Sequence, residues 1–158
     1  MKILLATDGS DYSKVAVDAV ADRPWPAGSQ LKIISVMEPP YVPTSDVWVL
    51  PDNFYNVMEE VSMARARAAV KDAAEKIKSS KIAELEPITE VRSGAARNVI
   101  LDEAERWGAD LIILGSHGYS GLQRFLLGSV SHAVATHARC SVEIVRRKMP
   151  KRRMTNDQ

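Results

Sequence analysis

Ala109-Asp110-Leu111-Ile112-Ile113-Leu114-Gly115-Ser116-His117-Gly118, with nine residues intervening before Gly128-Ser129-Val130-Ser131-His132-Ala133-Val134, is the stretch on which the fold turns. The near-continuous apolar run at its start reads as a strand buried on both faces, as in parallel sheets. The second series, entered through Ser129, reads as a helix with a hydroxyl at its cap, covering residues 129 to 138. Between them fall Gly115, Gly118, Gly121 and Gly128, four of the chain's eight glycines. Backbone without Cβ approaches a bulky anion or takes positive φ readily, and free N–H groups at a helix start attract phosphate. Glycine spacing alone leaves two readings open: a phosphate loop, or a loop that merely turns the chain.

Reading outward supplies the context. Upstream, Gly94 leads into a helix whose Ala96, Val99, Ile100, Ala104 and Trp107 share one face, and Gly108 ends it. Ile88-Thr89-Glu90-Val91-Arg92 alternates as a strand before that helix. A long helix is expected from about residue 56 to 80, with Arg65, Arg67, Lys71, Asp72, Glu75 and Lys76 on a solvated face. Residues 38–56 carry Pro39, Pro40, Pro43 and Pro51 among aromatics and read as a flap or partner-contacting loop. Leu31 to Val36 forms another strand, and Pro24 and Pro26 close an earlier helix in which Tyr12, Val15, Ala16, Ala19 and Val20 recur at helical spacing. Ile3-Leu4-Leu5-Ala6 is the first strand, ending in Thr7-Asp8-Gly9-Ser10. Val142 to Val145 is the last.

The order is therefore βαβαβαβαβ. Parallel strands need crossover connections, and right-handed crossovers place helices on both faces, so the expected fold is a five-stranded parallel open α/β sheet of Rossmann-like kind. Ligands of such sheets bind beyond the carboxyl ends of the strands, where strand order reverses, and Asp8 and Gly115 should emerge there.

The 158 residues suffice for one domain. With 46% hydrophobic and 26% charged residues and a net charge of +1, neither disorder nor a specific nucleic-acid partner is indicated. Thr7-Asp8 cuts the N-terminal apolar run short of a signal-peptide core, and no run reaches membrane length. The lone Cys140 forms no intramolecular disulfide, which agrees with a reducing cytoplasm, and reads as a small buried hydrophobe.

Several chemistries fit poorly. The P-loop pattern with its phosphate-gripping lysine is missing, as is Gly-x-Gly-x-x-Gly after the first strand. Gly118-Tyr119-Ser120-Gly121 brings its second glycine one residue early for a nucleophile elbow. His132 and His137 stand five apart, not the four that sets two zinc ligands on one helical face.

The opening Ala6-Thr7-Asp8-Gly9-Ser10 together with the late Gly-x2-Gly-x9-Gly-Ser resembles the ATP-binding branch of the universal stress protein family. The resemblance covers residues 1 to 146, so the domain is placed at residues 1–147 and a basic, disordered tail at 148–158. It implies the strand order 3-2-1-4-5, a nucleotide between strands one and four, and a homodimer paired through strand five. It also implies that Asp8 and the backbone at Val36 lie near the adenosine, while Gly115, Gly118, Gly128, Ser129, Val130 and Ser131 follow ribose and phosphates. Asp8 then accepts from a ribose hydroxyl or holds a water on phosphate-bound Mg²⁺, or else simply caps the first helix or turn. Thr7 lines the crevice or satisfies local backbone. Ser129 caps its helix in either case. His117, between the first two glycines, meets a phosphate as imidazolium or faces solvent as a neutral ring. Arg124 is a further loop cation that reaches phosphates or is solvated.

Relatives commonly carry a proline where this chain has Cys140-Ser141, and strand five here contains Glu143; both bear on the dimer edge. The run from Arg146 to Arg153 can attract anionic partners. The expected function is nucleotide sensing in a stress response: ATP, carried with Mg²⁺, alters the surface offered to an unidentified protein partner. ATP and AMP both fit the loop. Two alternatives stand beside this reading, a slow ATPase or phosphotransferase using the same site and a nucleotide-independent dimeric interaction protein.

Overall fold

The computed structural model describes residues 1–39, 53–81, 84–118 and 127–146. The flap expected at 38–56 falls mostly outside these residues, as do Gly121, Arg124 and the tail at 148–158. Nine elements follow in order: β1 (Lys2–Ala6), α1 (Asp11–Ala21), β2 (Gln30–Met37), α2 (Phe54–Lys78), β3 (Pro87–Ser93), α3 (Ala96–Trp107), β4 (Leu111–Gly115), α4 (Ser129–His137) and β5 (Ser141–Val145). Every expected element is present, with boundaries moved by one or two residues, the usual uncertainty of frayed ends. The strands form one parallel sheet in the order β3-β2-β1-β4-β5.

Alternation along the central strands divides the core in two. Ile3, Leu5, Leu31, Ile33 and Ile113 face α1 and α2, whose Ala16, Val17, Val20, Val70, Ala73 and Ile77 cover them. Leu4, Ala6, Ile34, Ile112 and Leu114 face α3 and α4, under Ile100, Ala104 and Val134. Because both faces are covered, the central strands read as apolar runs without a polar side.

The face that α1 turns inward is Ser13, Ala16, Val17, Val20 and Ala21; of the expected stripe, Ala16 and Val20 lie on it, whereas Val15 and Ala19 are half-buried and Tyr12 is exposed. Tyr12 remains 36% exposed. The cause is close approach: a Cβ on Gly115 would stand 2.4 Å from the Tyr12 carbonyl oxygen, so β4 and the first turn of α1 touch backbone to backbone. Only small side chains fit beneath the helix at that distance. Gly108 closes α3 in the left-handed conformation, at φ 69° and ψ 49°, as expected.

One polar cluster interrupts the apolar core. Lys32, 8% exposed within β2, extends toward α3 and meets the Glu103 carboxylate at 2.6 Å. Arg106 also binds Glu103, Arg92 reaches it at 3.2 Å, and Glu90 lies 3.5 Å from Lys32. The Lys32 ammonium stands 4.9 Å from the Trp107 ring centre. Burial pushes the Glu103 carboxyl upward, but hydrogen bonds and charges from Lys32 and Arg106 outweigh it and hold the group below its ordinary value. The cluster ties β2, β3 and α3 together. Among the described residues no helix is long and apolar enough to cross a membrane.

Candidate functional site

β1 and β4 are neighbours whose crossovers lead to opposite sides of the sheet, so their carboxyl ends border the crevice at the reversal of strand order. After β1 come Thr7 and Asp8. Asp8 Oδ1 accepts from the Ser10 N–H at 3.0 Å, a local turn that fixes the carboxylate over the crevice. Thr7 is buried, its hydroxyl 3.1 Å from Ser13 Oγ and accepting from the Gly9 N–H at 3.3 Å. That hydroxyl therefore satisfies local backbone at the turn. Ser10, in extended conformation, caps α1 by accepting from the Ser13 N–H at 3.2 Å. The capping alternative for Asp8 thus applies to the turn and not to the helix.

After β4 the chain passes Ser116, His117 and Gly118. A Cβ on Gly118 would lie 2.7 Å from Asp8 Oδ2, which places the two loops face to face. Gly128 returns to the same spot: its N–H donates to the Ser116 carbonyl at 2.9 Å, and a Cβ there would meet His117 Cα at 3.3 Å. Ser131, 2% exposed, donates from Oγ to the Ser116 carbonyl at 2.9 Å and also lies 3.0 Å from the Gly128 carbonyl. Its hydroxyl is a brace holding the start of α4 against the end of β4.

Ser129 is not the cap of α4. Gly128 occupies that position, at φ −59° and ψ 155°, and no side chain among the described residues caps the helix. Ser129 is the first helical residue, with its side chain exposed, and Val130 is half-buried against the α3 and α4 core. The first-turn N–H groups, including those of Ser129, Val130 and Ser131, thus lack a side-chain acceptor at the cap, and the helix dipole adds partial positive charge there. His117 packs against Tyr12 with ring centres 5.1 Å apart and shares Nδ1 with Ser116 Oγ at 3.1 Å, while its buried Nε2 has no hydrogen-bond partner among the described residues.

Val36 borders the crevice from the other side. β1 pairs with β2 only as far as Ala6 and Ile34, whereas β2 continues beside β3 to Met37 and Ser93. The backbone at Val36 therefore presents a side that the β1 ladder does not cover. Thr7, Asp8, Val36, Gly115, His117, Gly118, Gly128, Ser129, Val130 and Ser131 all fall at this one end of the sheet, though Gly115 is required by the packing of α1 on β4. Among the described residues no group of three or more His, Cys, Asp or Glu is placed to hold a metal ion. Three features of this end of the sheet suit an anionic group: a helix start without a side-chain cap, a cradle that side chains would fill, and an imidazole nitrogen without a partner among the described residues.

Comparison with known proteins agrees with this architecture. The chain is 34% identical over 148 residues to universal stress protein YxiE of Bacillus subtilis, spanning 92% of this chain and 98% of that one. The structure of UspA from Lactobacillus plantarum superposes with a TM-score of 0.72 at 24% identity, covering 92% of this chain and 97% of the other. A universal stress protein family protein from Arabidopsis thaliana with AMP bound superposes with a TM-score of 0.64 at 16% identity, covering 94% and 92%. The model of the universal stress protein family matches residues 1–146, which takes in every described strand and helix. On that match and the strand order together, the chain belongs to the universal stress protein family.

Proposed function

We propose that this chain is an ATP-binding universal stress protein that acts as a nucleotide-responsive regulatory module in the cytoplasm. The observation that carries the proposal is the unfinished start of α4, whose first-turn N–H groups have no side-chain cap and which opens beside Asp8 and Gly118. In this reading the phosphates lie along Gly118, Gly128 and the first turn of α4, with His117 Nε2 as a further partner. Asp8 accepts from the ribose or from a water on Mg²⁺ that arrives with the nucleotide. The uncovered backbone at Val36 faces the base. The AMP held by the plant relative supports an adenine nucleotide as the ligand class. Micromolar affinity requires about 8 kcal/mol, within reach of base burial and several N–H contacts.

The module is a homodimer through β5, and nucleotide occupancy alters the surface it offers to another protein. Isothermal calorimetry with ATP, ADP, AMP and GTP, each with Mg²⁺, tests the core of the reading, with Gly118→Val as the control. Selective heat with adenine nucleotides that vanishes in the variant is expected. Equal affinity for GTP, or none for any nucleotide after removal of co-purified ligand, would overturn it.

A further inference from the structure

The β5 edge carries an ion pair whose position bears on how two copies can meet. Among the described residues β5 pairs with β4 along one side only, so its other side presents backbone that no described strand pairs. Val142 and Ile144 pack toward α3 and α4, and Val145 toward α1 and α2. Glu143 alternates to the α1 side, where Arg23, just beyond the end of α1, grips it with both terminal nitrogens at 3.2 and 2.7 Å. The guanidinium lies 4.2 Å from the Trp25 ring centre, and Trp25 Nε1 donates to the Val20 carbonyl at 2.9 Å, which fixes the platform. The pair is about two-thirds buried, with side-chain exposures of 37% and 35%.

Geometry restricts the pairing of this edge with itself. Two copies joined edge to edge by a two-fold axis run antiparallel with the axis perpendicular to the sheet, so each face continues as the same face. Directly opposed residues then lie on one side, and one residue must oppose its own copy. Full use of the five-residue strand makes that residue Glu143, its centre. Centring on Val142 or Ile144 leaves two residues of each five-residue strand unpaired. The full register sets Val142 against Ile144 of the second copy on one face, an apolar match. On the other face it sets two Glu143 side chains against each other, with Cβ atoms about 5 Å apart.

Charged residues on an edge strand ordinarily prevent such pairing. We propose that Arg23 is the residue that permits it: by neutralising Glu143 within each copy, it turns a repulsive centre into two compensated ion pairs and fixes the central register. The inference rests on the homodimer reading above. It assigns Arg23 the role of a positioning residue for self-association and has no bearing on nucleotide affinity.

Sedimentation velocity of the full chain over a range of concentrations tests it, using wild type, Arg23→Ala, Glu143→Gln and the double variant. The wild-type chain should dimerise, and Arg23→Ala should weaken the dimer about tenfold or more, because two bare carboxylates then oppose each other. Glu143→Gln should dimerise at least as tightly as wild type, and the double variant should recover most of the loss. Recovery in the double variant separates charge compensation from simple damage to the fold. If Arg23→Ala fails to fold, Glu143→Lys supplies the same test, since four positive groups then crowd the centre and dimerisation should be lost. An Arg23→Ala chain that dimerises like wild type, or a Glu143→Gln chain weakened tenfold, overturns the inference. A wild-type chain that stays monomeric overturns the homodimer reading itself, before any variant is compared.

Discussion

Two helices begin at the same crevice and are finished differently. α1 is closed by its own chain: Ser10 caps it, and Asp11 in the first turn sets a negative charge against the dipole. α4 starts at Gly128, with no side-chain cap and no acidic residue in its first turn. The contrast separates a helix start finished by its own chain from one without a side-chain cap, where the proposed nucleotide would bind. It also sorts the glycines, because Gly115 is demanded by contact with the α1 backbone, whereas Gly118 and Gly128 clear space between Asp8, His117 and α4.

Five measurements break or sharpen the comparison. The largest effect concerns the polar cluster that ties β2, β3 and α3 together, away from either helix start. Glu103→Gln removes the carboxylate that Lys32 and Arg106 bind and leaves a buried ammonium short of a counter-charge, so chemical denaturation should register a loss of about 3 kcal/mol. The wild-type protein should show the matching pH dependence. A carboxyl held below its ordinary value contributes stability that is fully present above the ordinary carboxylate range and is lost as pH falls through the lowered value. Nucleotide affinity measured near neutral pH should be unaffected by the substitution.

Next in size is Gly115→Ala, whose added methyl meets backbone that cannot yield. A loss of about 2 kcal/mol in denaturation is expected, against a smaller loss for Gly118→Ala, whose methyl displaces the Asp8 carboxylate and not backbone. Equal losses at the two sites would erase the distinction between glycines. Gly128→Asp then converts α4 into the likeness of α1: an internal carboxylate at the cap should lower ATP affinity at least about tenfold, or roughly 1.4 kcal/mol, by calorimetry. Smallest is Ser10→Ala, costing about 1 kcal/mol of stability with ATP affinity unchanged. A fall in affinity there comparable to that of Gly128→Asp would mean that both helix starts hold the ligand.

Much of this was legible in the residues. The apolar runs at residues 3–6 and 110–114 and the glycines after the second mark the central strands and the crevice between them. The inward face of α1 was not, because Ser13 and the alanines that permit close packing carry a weak apolar signal, while Tyr12 carries a strong one and turns to His117 instead. The Lys32–Glu103 pair has a signal in the residues: a lysine inside a strand covered on both faces requires a buried partner. At the candidate site, a boundary displaced by one residue decided the chemistry. Placing the cap at Ser129 supplies the helix with its own hydroxyl, whereas the cap at Gly128 leaves the first turn open. Similarly, spacing marked Ser131 but could not tell a ligand donor from a brace, since that depends on the Ser116 carbonyl lying within reach.

The length of α2 has a consequence of its own. Its 25 residues extend about 37 Å, more than the sheet beside it, and burial begins only at Ala66. Tyr55, Val57, Met58 and Val61 stay exposed along the first turns. The helix is continuous in shape yet divided in energy. Amide protons after Ala66 should exchange with deuterium only through global unfolding, while those of the opening turns should exchange through local fraying, so that one helix reports two stabilities of the same molecule.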